Sequence, residues 1–570
     1  MISARSRLRT VVSAAAVALA LGGAALSAVP AQAADGPVPQ PGVQRPAVSE
    51  RQARQSIQAV KDVVVRQAEK KAAESGGPED TTPTPQIIGG GGASISEAPW
   101  MVQLFYDNGN DSFFCGGTLV AANKVLTAAH CVAGSDWASR GTVLGGTATF
   151  GDDAHGTVVG VSRQWSHPSY SSTTYSNDVA VLTLSQPLPY KTLRVTRYGD
   201  TGYYGKTGTV YGWGLTASNG TVSPTLKKAN LAVQSDATCT STWGSDYLKA
   251  TMLCAGNAAT GSDSTTTTTC SGDSGGPLVY GGRIVGVVSW GARVCSVRGA
   301  RSVFARAGTF TGLINPRVDD ANLDGDAFAD VYARTAAGAD TVYRSNGTGL
   351  TGPAFPVGPL TGADVVRQSD INADGYGDYV YRTASGELHW WGFDKNAGDV
   401  ADHKVGTGWG AFRNLTVPGD VTNDGFPDLV ANDAAGALWL WSGRGDGTFN
   451  ARVKIGSGWA SYQVYGKGDY SGDGVPDLLA RDAQARLWVY KGTGNPAAPF
   501  SARVQVGSGW NFTAYVTTGD LTGDGRADFA VRDAAGAMWA YKGTGSATTP
   551  FITSQRIKIG SGWNGFTLLG

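Results

Sequence analysis

Apolar residues in this 570-residue chain fall mostly into short β-branched or aromatic runs separated by glycine-rich turns. Leu278-Val279-Tyr280 and Ile284-Val285-Gly286-Val287-Val288 form one such pair. Leu438-Trp439-Leu440-Trp441, Leu487-Trp488-Val489-Tyr490 and Met538-Trp539-Ala540-Tyr541 are others. Runs of this length bounded by turn residues predict strands, so the expected fold class is mainly β. Two stretches depart from the pattern. An apolar run from Val11 to Val29 follows Arg5, Arg7 and Arg9 and precedes Ala31-Gln32-Ala33. That is the order of a secretory signal cut after Ala33. From Val48 to Ser75 a charged segment places Ile57, Val60 and Val64 on one helical face, which predicts an amphipathic helix.

Composition narrows the picture. With 46 basic and 46 acidic residues the net charge is zero, so nothing points to nucleic acid or to electrostatic membrane attachment. No later stretch approaches the roughly 18–20 apolar residues of a membrane span, and the mature protein is expected to be soluble and extracellular. All six cysteines lie between Cys115 and Cys295. In an exported chain this reads as three disulfides within one domain, with metal ligation by thiolates as the alternative.

The chemistry concentrates at Cys270-Ser271-Gly272-Asp273-Ser274-Gly275-Gly276-Pro277, a serine in a glycine turn at the mouth of a strand pair. A serine hydroxyl is a poor nucleophile at neutral pH and needs a base and a group to orient that base. Upstream stand Ile87-Ile88-Gly89-Gly90, Cys115-Gly116-Gly117-Thr118, Leu126-Thr127-Ala128-Ala129-His130-Cys131 and Asn177-Asp178-Val179-Ala180. Together these motifs, in the order His, Asp, Ser, make residues 87–315 resemble the trypsin/chymotrypsin-like serine proteases. The resemblance implies a two-barrel β fold that hydrolyses protein or peptide substrates through an acyl-enzyme. In it His130 is the general base, Asp178 orients the imidazole, and Ser274 is the nucleophile. The backbone N–H groups of Gly272 and Ser274 form the oxyanion hole. The resemblance also implies the disulfides Cys115–Cys131, Cys239–Cys254 and Cys270–Cys295.

The same resemblance implies cleavage before Ile87, whose new α-amino group pairs with Asp273. Residues 34–86 are then a pro-segment and linker. Gln86 stands at the cut, where trypsin-like zymogens commonly carry Arg or Lys. The floor of the primary specificity pocket falls at Thr268, without the aspartate that pairs with substrate Lys or Arg in trypsin. Ser289, Trp290 and Gly291 match the wall that binds substrate backbone by strand addition. Arg293, Arg298 and Arg301 lie around the opposite wall and are read as solvated.

Beyond residue 316 the chain repeats itself with a period near 50 residues, the signature of a repeat architecture. Five acidic segments recur. They place Asn322, Asp324, Asp326 and Asp330 in the first copy, and Asp370, Asn372, Asp374 and Asp378 in the second. The third has Asp420, Thr422, Asp424 and Asp428, the fourth Asp469, Ser471, Asp473 and Asp477, and the fifth Asp520, Thr522, Asp524 and Asp528. Oxygen side chains at positions 1, 3, 5 and 9 of a glycine turn are what a hard cation such as Ca2+ requires. The first copy departs, with Asn322 at position 1 and Ala327 in place of the turn glycine. A second mark, Gly-Ser/Thr-Gly-Trp, ends at Trp409, Trp459, Trp510 and Trp563. The pattern resembles the FG-GAP/VCBS repeats of calcium-binding β-propellers, which implies five blades over residues 316–570. The run Phe566-Thr567-Leu568-Leu569 is expected to complete the first blade and close the ring. The tryptophans are read as core. A glycan or polymer surface is the ligand class expected of the propeller, and the rival whole-chain reading is an extracellular binding protein with an ancillary, inactive protease domain.

Overall fold

The computed structural model describes residues 48–75 and 87–570, apart from 198, 219, 320, 322, 324–327 and 395–398. The expected signal (1–33), Gln86 and most of the first acidic loop (Asn322, Asp324, Asp326) lie outside the described residues. The chain divides into two compact units, with Phe310 and Thr311 on either side of the division.

In the first unit, six strands close into a barrel: Met101–Asp107, Ser112–Ala121, Lys124–Thr127, Ala180–Leu184, Thr157–Ser166 and Gly141–Gly145, in that spatial order. These strands have almost no exposed face. A second sheet runs from Gly91–Gly92 through Lys227–Ala232, Thr207–Gly212, Pro277–Tyr280, Arg283–Trp290 and Ser302–Arg306 to Met252–Ala255. A bridge between Val233 and Ala255 joins its far strand back to the end of Lys227–Ala232 and closes this sheet as well. Its interior is apolar: Val210, Leu231, Leu253, Leu278, Val285 and Phe304 form one cluster with Ile87.

The predicted amphipathic helix runs from Glu50 to Ser75. It lies on the first barrel with Ala53, Ile57 and Val60 buried.

The second unit is a five-bladed propeller of four-stranded antiparallel sheets. In four blades the strands are consecutive in sequence. The first blade takes Val331–Thr335, Asp340–Ser345 and Leu350–Pro356 and borrows Phe566–Leu569 as its fourth strand. The glycine-linked tryptophans are core, as the sequence pattern predicts: Trp409, Trp459, Trp510 and Trp563 are all less than a tenth exposed. Alternation sets their partners, since the outward Trp439, Trp488 and Trp539 each donate an indole N–H to Asp433, Asp482 and Asp533. Arg452, Arg503 and Arg556 stack on the faces of those three rings, a cation–π contact repeated blade by blade.

Neighbouring blades are joined by a latch that also repeats. Residues at or next to the ends of the strands Val331–Thr335, Asp378–Thr383, Asp428–Asp433, Leu478–Arg481 and Asp528–Arg532 donate side-chain N–H groups to carbonyls at the entrance of the next blade: Arg334 to Ala363, Arg382 to Phe412, Asn432 to Trp459, Arg481 to Trp510 and Arg532 to Trp563.

Candidate active site

His130 sits in a short 3-10 turn, Ala129–Cys131, that ends the strand Lys124–Thr127. Cys131 is bonded to Cys115 on the neighbouring strand, which ties down the turn. Asp178 lies just before the strand Ala180–Leu184, wholly buried. Its Oδ1 accepts the backbone N–H of His130 at 2.8 Å, and its Oδ2 lies 2.8 Å from His130 Nδ1. Two contacts from one carboxylate set both the position of the residue and the plane of its ring. With Nδ1–H turned to the carboxylate, Nε2 is the basic atom, and it has no partner among the described residues. Ser289 Oγ donates to Asp178 Oδ2 at 2.5 Å. Sequence reasoning placed Ser289 in the substrate-binding wall and missed this contact. A hydroxyl at the penultimate position of a strand carries no signal of the acid it faces.

Ser274 is 6% exposed. Its carbonyl accepts from Gly116 N at 2.8 Å, and the next residue, Gly275, has φ +80° with the space of a Cβ already filled by Thr127 Oγ1 and Gly116 O. The serine is thereby pressed against the strand end that carries His130, and only glycine fits behind it. Gly272 is held likewise, at φ +95°, with the ring of Phe114 2.7 Å from where its Cβ would stand. Neither Gly272 N–H nor Ser274 N–H is used by another described residue, so both remain available to an incoming oxyanion.

Asp273 points the other way, into the core, and is 0% exposed. Its oxygens accept the backbone N–H groups of Gly214 (2.8 Å) and Cys270 (2.9 Å). Burial outweighs these two donors and pushes its pKa up to about 6. Ile87 is also fully buried, within the apolar cluster of the second barrel. Ile88 packs on the Cys270–Cys295 disulfide, and its carbonyl accepts from Thr268 N at 3.0 Å. In the uncut chain the Ile87 nitrogen is an amide.

Thr268 is 5% exposed, and its hydroxyl pairs with Ser302 Oγ at 2.9 Å. Ser302 also meets Thr269 N at 3.0 Å. Two hydroxyls and no charge therefore meet at Thr268. Ser302 was not singled out from the sequence, because its partner is 34 residues away. Trp290 packs edge-on against Trp243 at 4.9 Å. Arg293 and Arg298 are exposed as read from the sequence. Arg301 is half-buried and donates to Thr242 Oγ1 at 2.6 Å, so for this arginine the solvated reading is corrected. The six cysteines form Cys115–Cys131, Cys239–Cys254 and Cys270–Cys295. The proximity of His130 to Cys115 and Cys131 is therefore no metal site, because both sulfurs are spent in a disulfide.

In the second unit, the acidic segments 370–378, 420–428, 469–477 and 520–528 each link the first and second strands of a blade. The position 1 aspartate folds its loop: Asp370 accepts from Asp374 N and Gly375 N, Asp420 from Asp424 N and Gly425 N, and Asp520 from Asp524 N and Gly525 N. The position 9 aspartate staples it to the chain at or just past the end of the third strand: Asp428, Asp477 and Asp528 accept both from the loop and from Gly443, Gly492 and Gly543. Among the described residues, Asp469, Asp473 and Asp477 bring one carboxylate oxygen each within 4.8 Å of the others. Lys491 and Lys542 lie 3.0 Å and 3.1 Å from Asp473 and Asp524. An all-oxygen donor set around a glycine turn suits a hard cation and no soft one.

Comparison with known proteins agrees with this division of the chain. The trypsin family model matches residues 87–314, and an FG-GAP-like repeat model matches residues 420–480 and 469–531. A trypsin of Saccharopolyspora erythraea is 38% identical over 234 residues, which is 41% of this chain and 98% of that protein. Trypsin alpha of Drosophila melanogaster is 38% identical over 213 residues, or 36% of this chain and 77% of its own length. Trypsin alpha-4 of Lucilia cuprina is 37% identical over a similar span. The chain belongs to the trypsin family, and it carries FG-GAP-like repeats after the trypsin-like domain.

Proposed function

We propose that the protein is a secreted serine endopeptidase in which Ser274, His130 and Asp178 act as the catalytic triad. The reading is carried by the His130 imidazole, clamped through N–H and Nδ1 by one buried carboxylate, with Nε2 unengaged beside the turn that bears Ser274. In the reaction Ser274 Oγ attacks the scissile carbonyl while His130 Nε2 takes its proton. The carbonyl oxygen becomes an oxyanion held by the N–H groups of Gly272 and Ser274. His130 then returns the proton to the leaving amine, the C–N bond breaks, and water repeats the cycle to release the acyl group. Ser289, Trp290 and Gly291 supply the strand edge for substrate backbone. Thr268 and Ser302 give the pocket a neutral, hydroxyl-lined floor, which suits an uncharged substrate side chain better than Lys or Arg. A serine-directed phosphonate should label the mature protein at Ser274. Absence of label there would overturn the reading in favour of a binding protein with an inactive protease domain.

Residues 34–86 are a pro-segment in this proposal, removed by cleavage before Ile87. Among the described residues the buried Asp273 carboxylate accepts from two backbone N–H groups, and a buried charge without a counter-charge is costly. The α-amino group freed at Ile87 supplies one. N-terminal sequencing of the mature protein should find Ile87, and a start far from it would remove the activation step. The acidic loops hold calcium in structural sites, with Asp469, Asp473 and Asp477 as the best-formed set. Excess Ca2+ should raise the melting temperature of the repeat unit, by about 3 kcal/mol of stability at a hundredfold excess over Kd. A transition that ignores both Ca2+ and chelator would refute this.

A further inference from the structure

The helix Glu50–Ser75 is docked like a part of the enzyme. Ala53, Ile57 and Val60 are each at most 2% exposed. Ile57 and Val60 join Phe105, Phe114, Leu144, Trp213 and Leu226 in one apolar cluster. Ile57 and Lys61 lie directly on Gly151, where a Cβ would come within 2.7 Å of Lys61 and 3.4 Å of Ile57. Polar contacts frame the apolar stripe. Arg54 Nη1 reaches the Asp153 carboxylate at 2.7 Å and its carbonyl at 3.1 Å, and Lys61 Nζ donates to Gly151 O at 3.3 Å.

We infer that this helix remains bound to the first barrel after the chain is cut before Ile87, as a second, non-covalently held polypeptide of the mature enzyme. The inference rests on the activation reading above. A cut before Ile87 leaves all of these contacts untouched, since they lie at or before Lys61. No disulfide can tether the fragment, because all six cysteines are paired with one another between Cys115 and Cys295. Packing alone must hold it. Departure would uncover the barrel side of the cluster and leave an isolated helix, which is marginal in water without a surface to bury its apolar face. While the chain is intact the contact is intramolecular. After the cut it becomes a true binding equilibrium.

The test uses the full chain with Ser274→Ala to block self-cleavage and a recognition site for a sequence-specific protease placed within residues 76–86. After cleavage at that site, both polypeptides should co-elute in equal amounts on native size exclusion and separate only in denaturant. Elution of the fragment on its own overturns the inference. Ile57→Asp with Val60→Asp should speed release about a hundredfold. Should that variant fold poorly, Arg54→Ala, which leaves the apolar stripe intact, should speed release several-fold, and an unchanged rate there counts against the docking. N-terminal sequencing of the wild-type protein separates the two readings. An intact chain whose engineered counterpart holds its fragment refutes activation alone, whereas a start at Ile87 without the helix refutes retention alone.

Discussion

The two units solve the problem of buried carboxylates in opposite ways. In the trypsin-like unit each such group stands alone and meets assigned partners: Asp178 has His130 and Ser289, and Asp273 has Gly214 and Cys270. In the acidic loops of the propeller they come in sets. Burial and neighbouring carboxylates push Asp428 and Asp528 up to about 8, and Asp370, Asp378 and Asp477 well above the usual carboxylate range. The covalent bracing differs too, with all three disulfides in the first unit. A lone buried carboxylate can be given a role by its donors. A crowd of them repels itself and disfavours ionisation of its members.

The largest effect expected from this contrast is catalytic. Ser274→Ala or His130→Ala should lower kcat/KM by roughly four orders of magnitude or more and leave the melting of the propeller unchanged. Full proteolysis by either variant would end the triad assignment. Next is covalent bracing: Cys270→Ser with Cys295→Ser should cost the first unit about 3 kcal/mol, read as a lowered denaturation midpoint. A matching fall in the propeller transition would show that the units do not unfold separately.

A subtler test concerns Asp273. Its folded pKa near 6 stands above the unfolded 3.8, so it favours the uncut folded state below pH 3.8, and that contribution fades as pH rises through 6. The Ser274→Ala chain should lose stability between pH 4 and 7 relative to its Asp273→Asn derivative, by on the order of 1–3 kcal/mol. The difference should vanish once Ile87 is a free terminus. Equal slopes in cut and uncut protein would detach Asp273 from activation. The smallest effect lies between blades. Arg532 Nη1 holds the Trp563 and Phe566 carbonyls, both at 2.8 Å, and Arg532→Ala should cost the propeller about 1–2 kcal/mol with no change in peptidase activity.

Much of this was legible in sequence because it is local or periodic. The Gly-Asp-Ser-Gly-Gly-Pro and Ala-Ala-His-Cys motifs are short and contiguous, although the contacts that demand Gly272 and Gly275 come from Phe114, Gly116 and Thr127, far away in sequence. The propeller announces itself through repetition, down to Phe566–Leu569 completing the first blade. Contacts between distant segments were not legible. Ser289 on Asp178 and Ser302 on Thr268 join positions far apart with no pattern to link them. The latch series Arg334, Arg382, Asn432, Arg481, Arg532 does repeat, but arginine at a strand end reads as an ordinary solvated charge until the neighbouring carbonyls are seen. The helical face of Ile57, Val60 and Val64 could be drawn from spacing, whereas the surface that covers it could not.

The borrowed strand of the first blade also sets how the propeller answers force. Phe566–Leu569 pairs with Ala333, Arg334 and Thr335, remote in sequence, while every other blade is built from consecutive strands. Tension across the repeat unit would therefore load this four-residue clasp first, and its release would bare the edge of Val331–Thr335. The ring resists pulling only as well as this one seam between remote parts of the chain, however firmly the other blades are latched.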